Sequence, residues 1–186
     1  MRDLKFININ QNKYCTKVVK ELYHSAFPRN ERAPFLFLKL LAKKDKAQFI
    51  GVYDKDTFVG LVYNIYYKDI VYVFYLAIAD SLRGRGYGGR VLELIAEEHK
   101  QKRIILMAEE TDASSDNYGE RIKRKEFYYH NGFKELNYKV KELDVIYDML
   151  AFENGNGDVS HQEYRDLMRS FWGDFLYKHV YVKISE

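Results

Sequence analysis

Nine residues, Leu82 to Arg90, read LRGRGYGGR and hold four glycines and three arginines. Glycine lets backbone N–H groups approach an oxyanion closely, and arginine adds charge, so the run suits a phosphate-bearing ligand. Gly84, Gly86 and Gly89 spell G-x-G-x-x-G, the dinucleotide fingerprint. That fingerprint sits at the end of the first strand of a parallel βαβ unit. Here the preceding apolar run ends near Ile78, and ADSLR intervenes. Glu109 follows at about the spacing of a ribose-binding acid, which we read as coincidence. A P-loop needs G-K-[ST] and a kinase loop needs H-R-D and D-F-G partners; neither set occurs. The unit Arg83-x-x-Gly86-x-Gly88 fits better. It joins a buried strand to an amphipathic helix, and Arg83, Arg85 and Arg90 add charge where a pyrophosphate would sit. A glycine-rich turn with no ligand is the alternative.

Other chemistry-bearing residues are sparse. His24, His99, His130, His161 and His179 form no close pair, and the single cysteine, Cys15, excludes a zinc ribbon, so no metal is expected. Cys15 lies in an amphipathic segment and reads as packing. NGNGDVSHQEY resembles a calcium loop but puts Val159 and Arg165 where glycine and glutamate are required. The basic run RIKRK, Arg121–Lys125, reads as a solvated helix face, with phosphate contact as the alternative. Net charge is +3 over 186 residues, too little to imply a nucleic-acid partner. One cysteine suits a reducing compartment, and no apolar run has signal-peptide or membrane-spanning length, so a cytoplasmic protein with no membrane partner is expected.

These residues need elements to hold them. LKFINI alternates as a strand. Val18, Val19, Leu22, Tyr23 and Ala26 repeat at helical spacing within Tyr14–Ala26, and a second apolar helix covers Phe35–Ala42 after a break at FPRNERAPF. A meander follows: AQFIGVYD, TFVGLVYNIYY and IVYVFYLAI, joined by two KD turns, predict antiparallel hairpins. The third run is apolar on both faces and should be a central buried strand. Gly88–Lys100 reads as a helix, RIILMA as a buried strand, and Glu120–Asn131 as a helix stopped by Gly132. FKELNYKV and DVIYDMLAF are two more strands. In the tail, Ser160 and Glu163 form a capping box for a helix to about Trp172, and KHVYVKI adds a last strand.

With that order and the run RGRGYG at Arg83–Gly88, the chain resembles the GNAT superfamily of acyl-CoA-dependent N-acetyltransferases, whose signature is R/Q-x-x-G-x-G/A. FYYHNGF, Phe127–Phe133, is similar to the family's F-Y-x-x-x-G-F. The resemblance covers roughly residues 4–152. It implies an α/β (α+β) fold: a central mixed, mostly antiparallel sheet, splayed at the cofactor site and flanked by helices. Residues 1–152 would be the acetyltransferase domain and 153–186 an extension packed on it.

The resemblance further implies acetyl transfer from acetyl-CoA to a primary amine of a small molecule or peptide, by direct attack in a ternary complex. A non-catalytic acyl-CoA-sensing module is the alternative. Leu76, Ala77 and Ile78 would bind pantetheine through their backbone, with the Ile78 N–H as oxyanion donor. Arg83, Gly84, Arg85, Gly86, Tyr87, Gly88 and Gly89 would wrap the pyrophosphate. Tyr128 would protonate the leaving thiolate. Many relatives carry a glutamate on the strand before the loop, which IVYVFYLAI lacks, so Glu109 is the candidate base, acting through water. Glu31 and Glu110 are candidates for the amine. Acidic Glu31, Glu109 and Asp112 would suit a cationic acceptor. A homodimer is left open.

Overall fold

The structure is a computed structural model that describes residues 3–29, 32–142, 145–177 and 182–185. Two compact units emerge from the pattern of contacts. One comprises residues 1–66 and 73–95, the other residues 67–72 and 96–186.

In the first unit, β1 (Leu4–Asn8), β2 (Ala47–Asp54), β3 (Thr57–Tyr67) and most of β4 (Ile70–Ile78) lie side by side in chain order. β1 with β2 and β2 with β3 are antiparallel, with Gly51 opposite Leu61 and a register shift at Val52/Tyr53. The three meander strands coincide with the three apolar runs. Both KD turns put a lysine in the left-handed region, Lys55 at φ 55° and Lys68 at φ 51°. Asn or Gly would adopt that conformation at lower cost, so each turn holds about 1 kcal/mol of strain.

α1 (Lys13–Ala26) starts where the Asn12 side chain accepts the Cys15 N–H at 2.9 Å. It ends because Phe27 precedes Pro28 and is extended, φ −120° and ψ 130°. α2 (Phe35–Leu41) follows Pro34. Both helices cover the same face of β2. Tyr23 and Phe35 meet Phe49 with ring centroids 6.1 and 5.3 Å apart, and a Cβ on Gly51 would lie 2.4 Å from the Cys15 sulfur. Glycine at 51 is what lets α1 come that close. Tyr23, Tyr63 and Tyr75 are buried core residues.

In the second unit, β5 (Arg103–Glu109), β7 (Val145–Phe152), β6 (Phe133–Glu142) and β8 (Val182–Ser185) lie in that order, with antiparallel pairing of β5 with β7, β7 with β6 and β6 with β8. α4 (Tyr118–His130) starts two residues earlier than expected. Gly132, at φ 81°, supplies the turn into β6. The Ser160/Glu163 capping box opens α5 (His161–Trp172). Arg103 ties this helix start to the rest of the unit: its guanidinium donates to Asp69 at 2.7 and 2.9 Å, to Glu163 at 2.7 Å and to the Asp158 carbonyl at 2.9 Å. These bonds hold the Glu163 carboxyl down at about 2. The short α6 (Asp174–Tyr177) was not foreseen, and the residues of KHVYVKI before Val182 lie outside the described ones.

Candidate functional site

β4 is apolar throughout, but its burial changes along its length. Ile70 to Val73 are buried; beyond them Tyr75 and Ala77 stay buried while Phe74, Leu76 and Ile78 are half-exposed. One face of the strand therefore opens toward its C-terminal end, where the sequence predicted burial on both faces. A strand needs packing atoms on each side to be closed, and apolarity alone does not supply them.

The strand's hydrogen-bonding edges are set by β3. The Ala79 N–H donates to the Val59 carbonyl at 2.9 Å, so alternation turns the N–H and C=O of Leu76 and Ile78 away from β3. The Ile78 carbonyl accepts from the Arg83 Nε at 3.3 Å, and Arg83 also pairs with Asp80 at 2.7 Å. Gly60 on β3 allows the close approach: a Cβ there would sit 2.3 Å from the Ala77 carbonyl oxygen. Gly60 was not singled out in the sequence.

After a single 3₁₀ turn (Asp80–Leu82), Gly84 and Gly86 take φ 71° and 81°, with open space where a Cβ would stand. α3 (Tyr87–Glu98) begins at once, closed by the Arg90 N–H on the Gly86 carbonyl at 3.2 Å. Gly88 and Gly89 lie in the first turn, where helical N–H groups have no intrahelical acceptor. Tyr87 turns inward, and its hydroxyl donates to Asp54 at 2.9 Å, so it offers the loop its backbone. Arg83, Gly84, Arg85 and Gly86 are exposed, and Arg90 pairs with Glu93 at 2.7 Å. An exposed left-handed glycine pair feeding a helix N-terminus fits a phosphate-bearing group. The open apolar end of β4 fits a flexible chain beside it.

In the second unit, Glu109 ends β5 and is only 5% exposed. It accepts from Arg121 at 3.2 Å and from Arg124. Arg121 also donates to the Glu110 carbonyl at 2.9 Å, and Glu110 pairs with Lys139. Lys125 reaches Asp148 of β7 at 2.8 Å and also Glu135. Burial works against the Lys125 charge, but the two carboxylates outweigh it and hold the ammonium above its ordinary range. The run RIKRK is thus a solvated face only in part: Lys123 and Arg124 are exposed. Arg121 and Lys125 turn into the unit, and with Arg124, which reaches Glu109 from the rim, they hold α4 on β5, β6 and β7 through ions. The signal was present: Asp148 interrupts an apolar strand, and a buried acid requires a partner.

Tyr128 lies one turn after Arg124 on α4, half-buried against Phe127 and Phe133, with ring centroids 5.3 and 6.1 Å away. Burial raises its phenol above the ordinary value, and the positive charge of Arg124 pulls part of the way back. The phenol is therefore a neutral O–H donor at physiological pH. Asp112 is exposed and accepts from the backbone and hydroxyl of Ser114 at 2.9 and 2.8 Å, which lowers its pKa. Glu31 lies outside the described residues. Among the described residues, no group of histidine, cysteine, aspartate and glutamate could hold a metal ion.

The acetyltransferase (GNAT) domain family matches residues 45–135, which contain β2 to α4 and the start of β6. No curated protein matches the sequence. Among solved structures, an acetyltransferase ascribed to the GNAT family from Bacteroides thetaiotaomicron is similar, with TM-score 0.70 and 21% identity, covering 94% of this chain and 98% of its own. An aminoglycoside 6'-N-acetyltransferase complexed with coenzyme A aligns with TM-score 0.63 and 16% identity, covering 80% and 95%. A ribosomal-protein alanine N-acetyltransferase from Escherichia coli aligns with TM-score 0.58 and 13% identity, covering 81% and 93%. At these identities the structures carry the fold, an α/β arrangement with a central mixed sheet flanked by helices, and the family match carries the kinship. Residues 45–135 of this chain thus match a GNAT acetyltransferase domain, and the fold agrees with that match.

Proposed function

We propose that the protein transfers an acetyl group from acetyl-CoA to a primary amine of a small molecule or peptide, by direct attack of the amine on the thioester. The observation that carries the reading is the loop Arg83–Gly89. Two left-handed glycines with open space above them lead into a helix start at the end of a strand whose last apolar residues are half-exposed. In this reading the amides of Gly88 and Gly89, with Gly84, Gly86 and the backbone of Tyr87, bind the pyrophosphate. Arg83 and Arg85 neutralise it. Leu76, Ala77 and Ile78 hold the pantetheine, and the Ile78 N–H receives the charge that develops on the carbonyl oxygen.

The amine must lose a proton and the departing thiolate must gain one. Tyr128 is the proposed acid: its phenol is neutral and raised, and its conjugate base is tempered by Arg124. Glu109 is the proposed base, through a water, with Glu110 and Glu31 on the amine side. The two guanidiniums on Glu109 weigh toward the second reading, an acyl-CoA-binding module without turnover, because they already occupy both carboxylate oxygens.

The test pairs Tyr128→Phe with Glu109→Gln in an assay of thiol release from acetyl-CoA with primary amines as acceptors. Under the catalytic reading Tyr128→Phe lowers kcat by about 10²- to 10³-fold and leaves the KM for acetyl-CoA nearly unchanged. Wild-type turnover that survives both replacements removes these residues from the chemistry. Acetyl-CoA binding with no amine-dependent thiol release supports the sensing module.

A further inference from the structure

Charge is unevenly spread along the chain. The first 46 residues hold eleven lysines and arginines against four acids, a surplus of seven, while the whole chain has a net charge of +3. On α1, Lys13, Lys17, Lys20 and His24 are spaced by four, three and four residues and are all exposed. That spacing makes one stripe. It runs opposite the buried Cys15, Val19, Leu22 and Tyr23, and Glu21 is the helix's single acid. Burial, and then the nearby cations Arg32 and Lys20, hold the His24 imidazole below its ordinary range, as a positive surface would.

The same outer surface is apolar in an unusual way. α2 reads FLFLKLL; Phe35 and Leu38 face the sheet, while Leu36 and Leu40 stand outward at 67% and 49% exposure. Tyr14, at the start of α1, is 69% exposed. These are the three most exposed large hydrophobic residues among the described ones, and both helices cover one face of β2. Lys43, Lys44 and Lys46 follow α2 directly.

We propose that the outer face of α1 and α2 docks on an anionic lipid surface. Lysine ammonium groups are point charges that suit a diffuse layer of phosphate headgroups, whereas nucleic-acid readers favour arginine and stacking rings. Two outward leucines one turn apart reach the acyl boundary, and a tyrosine sits well at headgroup depth. No helix of the described residues is long and apolar enough to cross a membrane, and surface docking requires none. The proposal is independent of the acetyl-transfer reading.

The full chain is sedimented with vesicles of phosphatidylcholine alone and with vesicles containing one third phosphatidylglycerol, at low and at physiological salt. Binding is expected to the anionic vesicles only and to weaken with salt. Replacing Lys13, Lys17 and Lys20 with Glu should reduce partitioning about a hundredfold, and Leu36→Ser with Leu40→Ser about tenfold. Circular dichroism and acetyl-CoA titration of the variants verify that folding and the loop are intact. Absence of binding at low salt, equal binding to both vesicle types, or binding unaffected by the lysine changes overturns the proposal. So does preferential retention on duplex RNA when vesicles and RNA compete.

Discussion

Tyr128 and Arg124 stand one helical turn apart, and that spacing governs how the phenol behaves. Burial makes the phenolate costly, and the guanidinium, fixed by Glu109, makes it less so. Because the phenol pKa is raised, Tyr128 stays protonated through neutral pH, and an acid role survives into mildly alkaline solution. The turnover test of Tyr128→Phe therefore belongs at pH 7 to 8, where the wild-type phenol is still protonated. The aromatic motif was legible because FYYHNGF is compact and carries a glycine just before its last residue. The ion pairs around it were not. RIKRK itself does not say which side of the helix it faces; Asp148 within an apolar strand is the one hint, and the burial of Glu109 comes only from packing. Sequence spacing sets the face of a helix, and only packing decides which face is covered.

At the scale of elements, the hairpins and helices were readable because their punctuation is local: KD turns, Ser160 as a cap, the break at FPRNERAPF and Gly132 as stops. The opening of one face of β4 was not readable, since it depends on what neighbours the strand's end. The contact that fixes this end is also hidden in sequence, because Gly60 looks like any glycine in a strand. Gly60→Ala places a methyl against the Ala77 carbonyl oxygen, where 2.3 Å leaves no room and the backbone must move. The expected cost is about 3 kcal/mol of stability by denaturant titration, with weakened acetyl-CoA binding because Ala77 and Ile78 shift. An alanine variant of unchanged stability would show that β3 does not set the position of this strand end.

At the scale of the whole molecule, the C-terminal extension carries a pH-sensitive contact. Tyr164 of α5 is fully buried and donates to Glu142 at 2.9 Å. Burial raises the Glu142 carboxyl to about 7, against a smaller lowering by the Tyr164 hydroxyl. A folded-state value above the unfolded one means the protonated form favours folding. That contribution is full below the unfolded value, about 4.3, and is lost as pH rises through about 7. Glu142→Gln should therefore leave Tm nearly unchanged at pH 4 and raise it at pH 8. Thermal denaturation at the two pH values reads this directly, and an equal shift at both would place the effect outside Glu142 ionisation. The tail's helix was foreseen from its capping box; its anchoring by Arg103 on Glu163 and by Tyr164 on Glu142 was not, because neither Arg103 nor Glu142 is near it in sequence.

The central claim is that LRGRGYGGR binds the pyrophosphate of an acyl-CoA, and calorimetric titration of the protein with acetyl-CoA, with NAD as the control, tests it most directly. The account predicts micromolar acetyl-CoA binding, no NAD binding, and loss of the former on Gly86→Glu. At φ 81° any side chain costs about 1 kcal/mol, while the added carboxylate repels phosphate. A folded wild-type protein that takes up no acetyl-CoA, or a Gly86→Glu variant that binds it as tightly as before, would contradict the account.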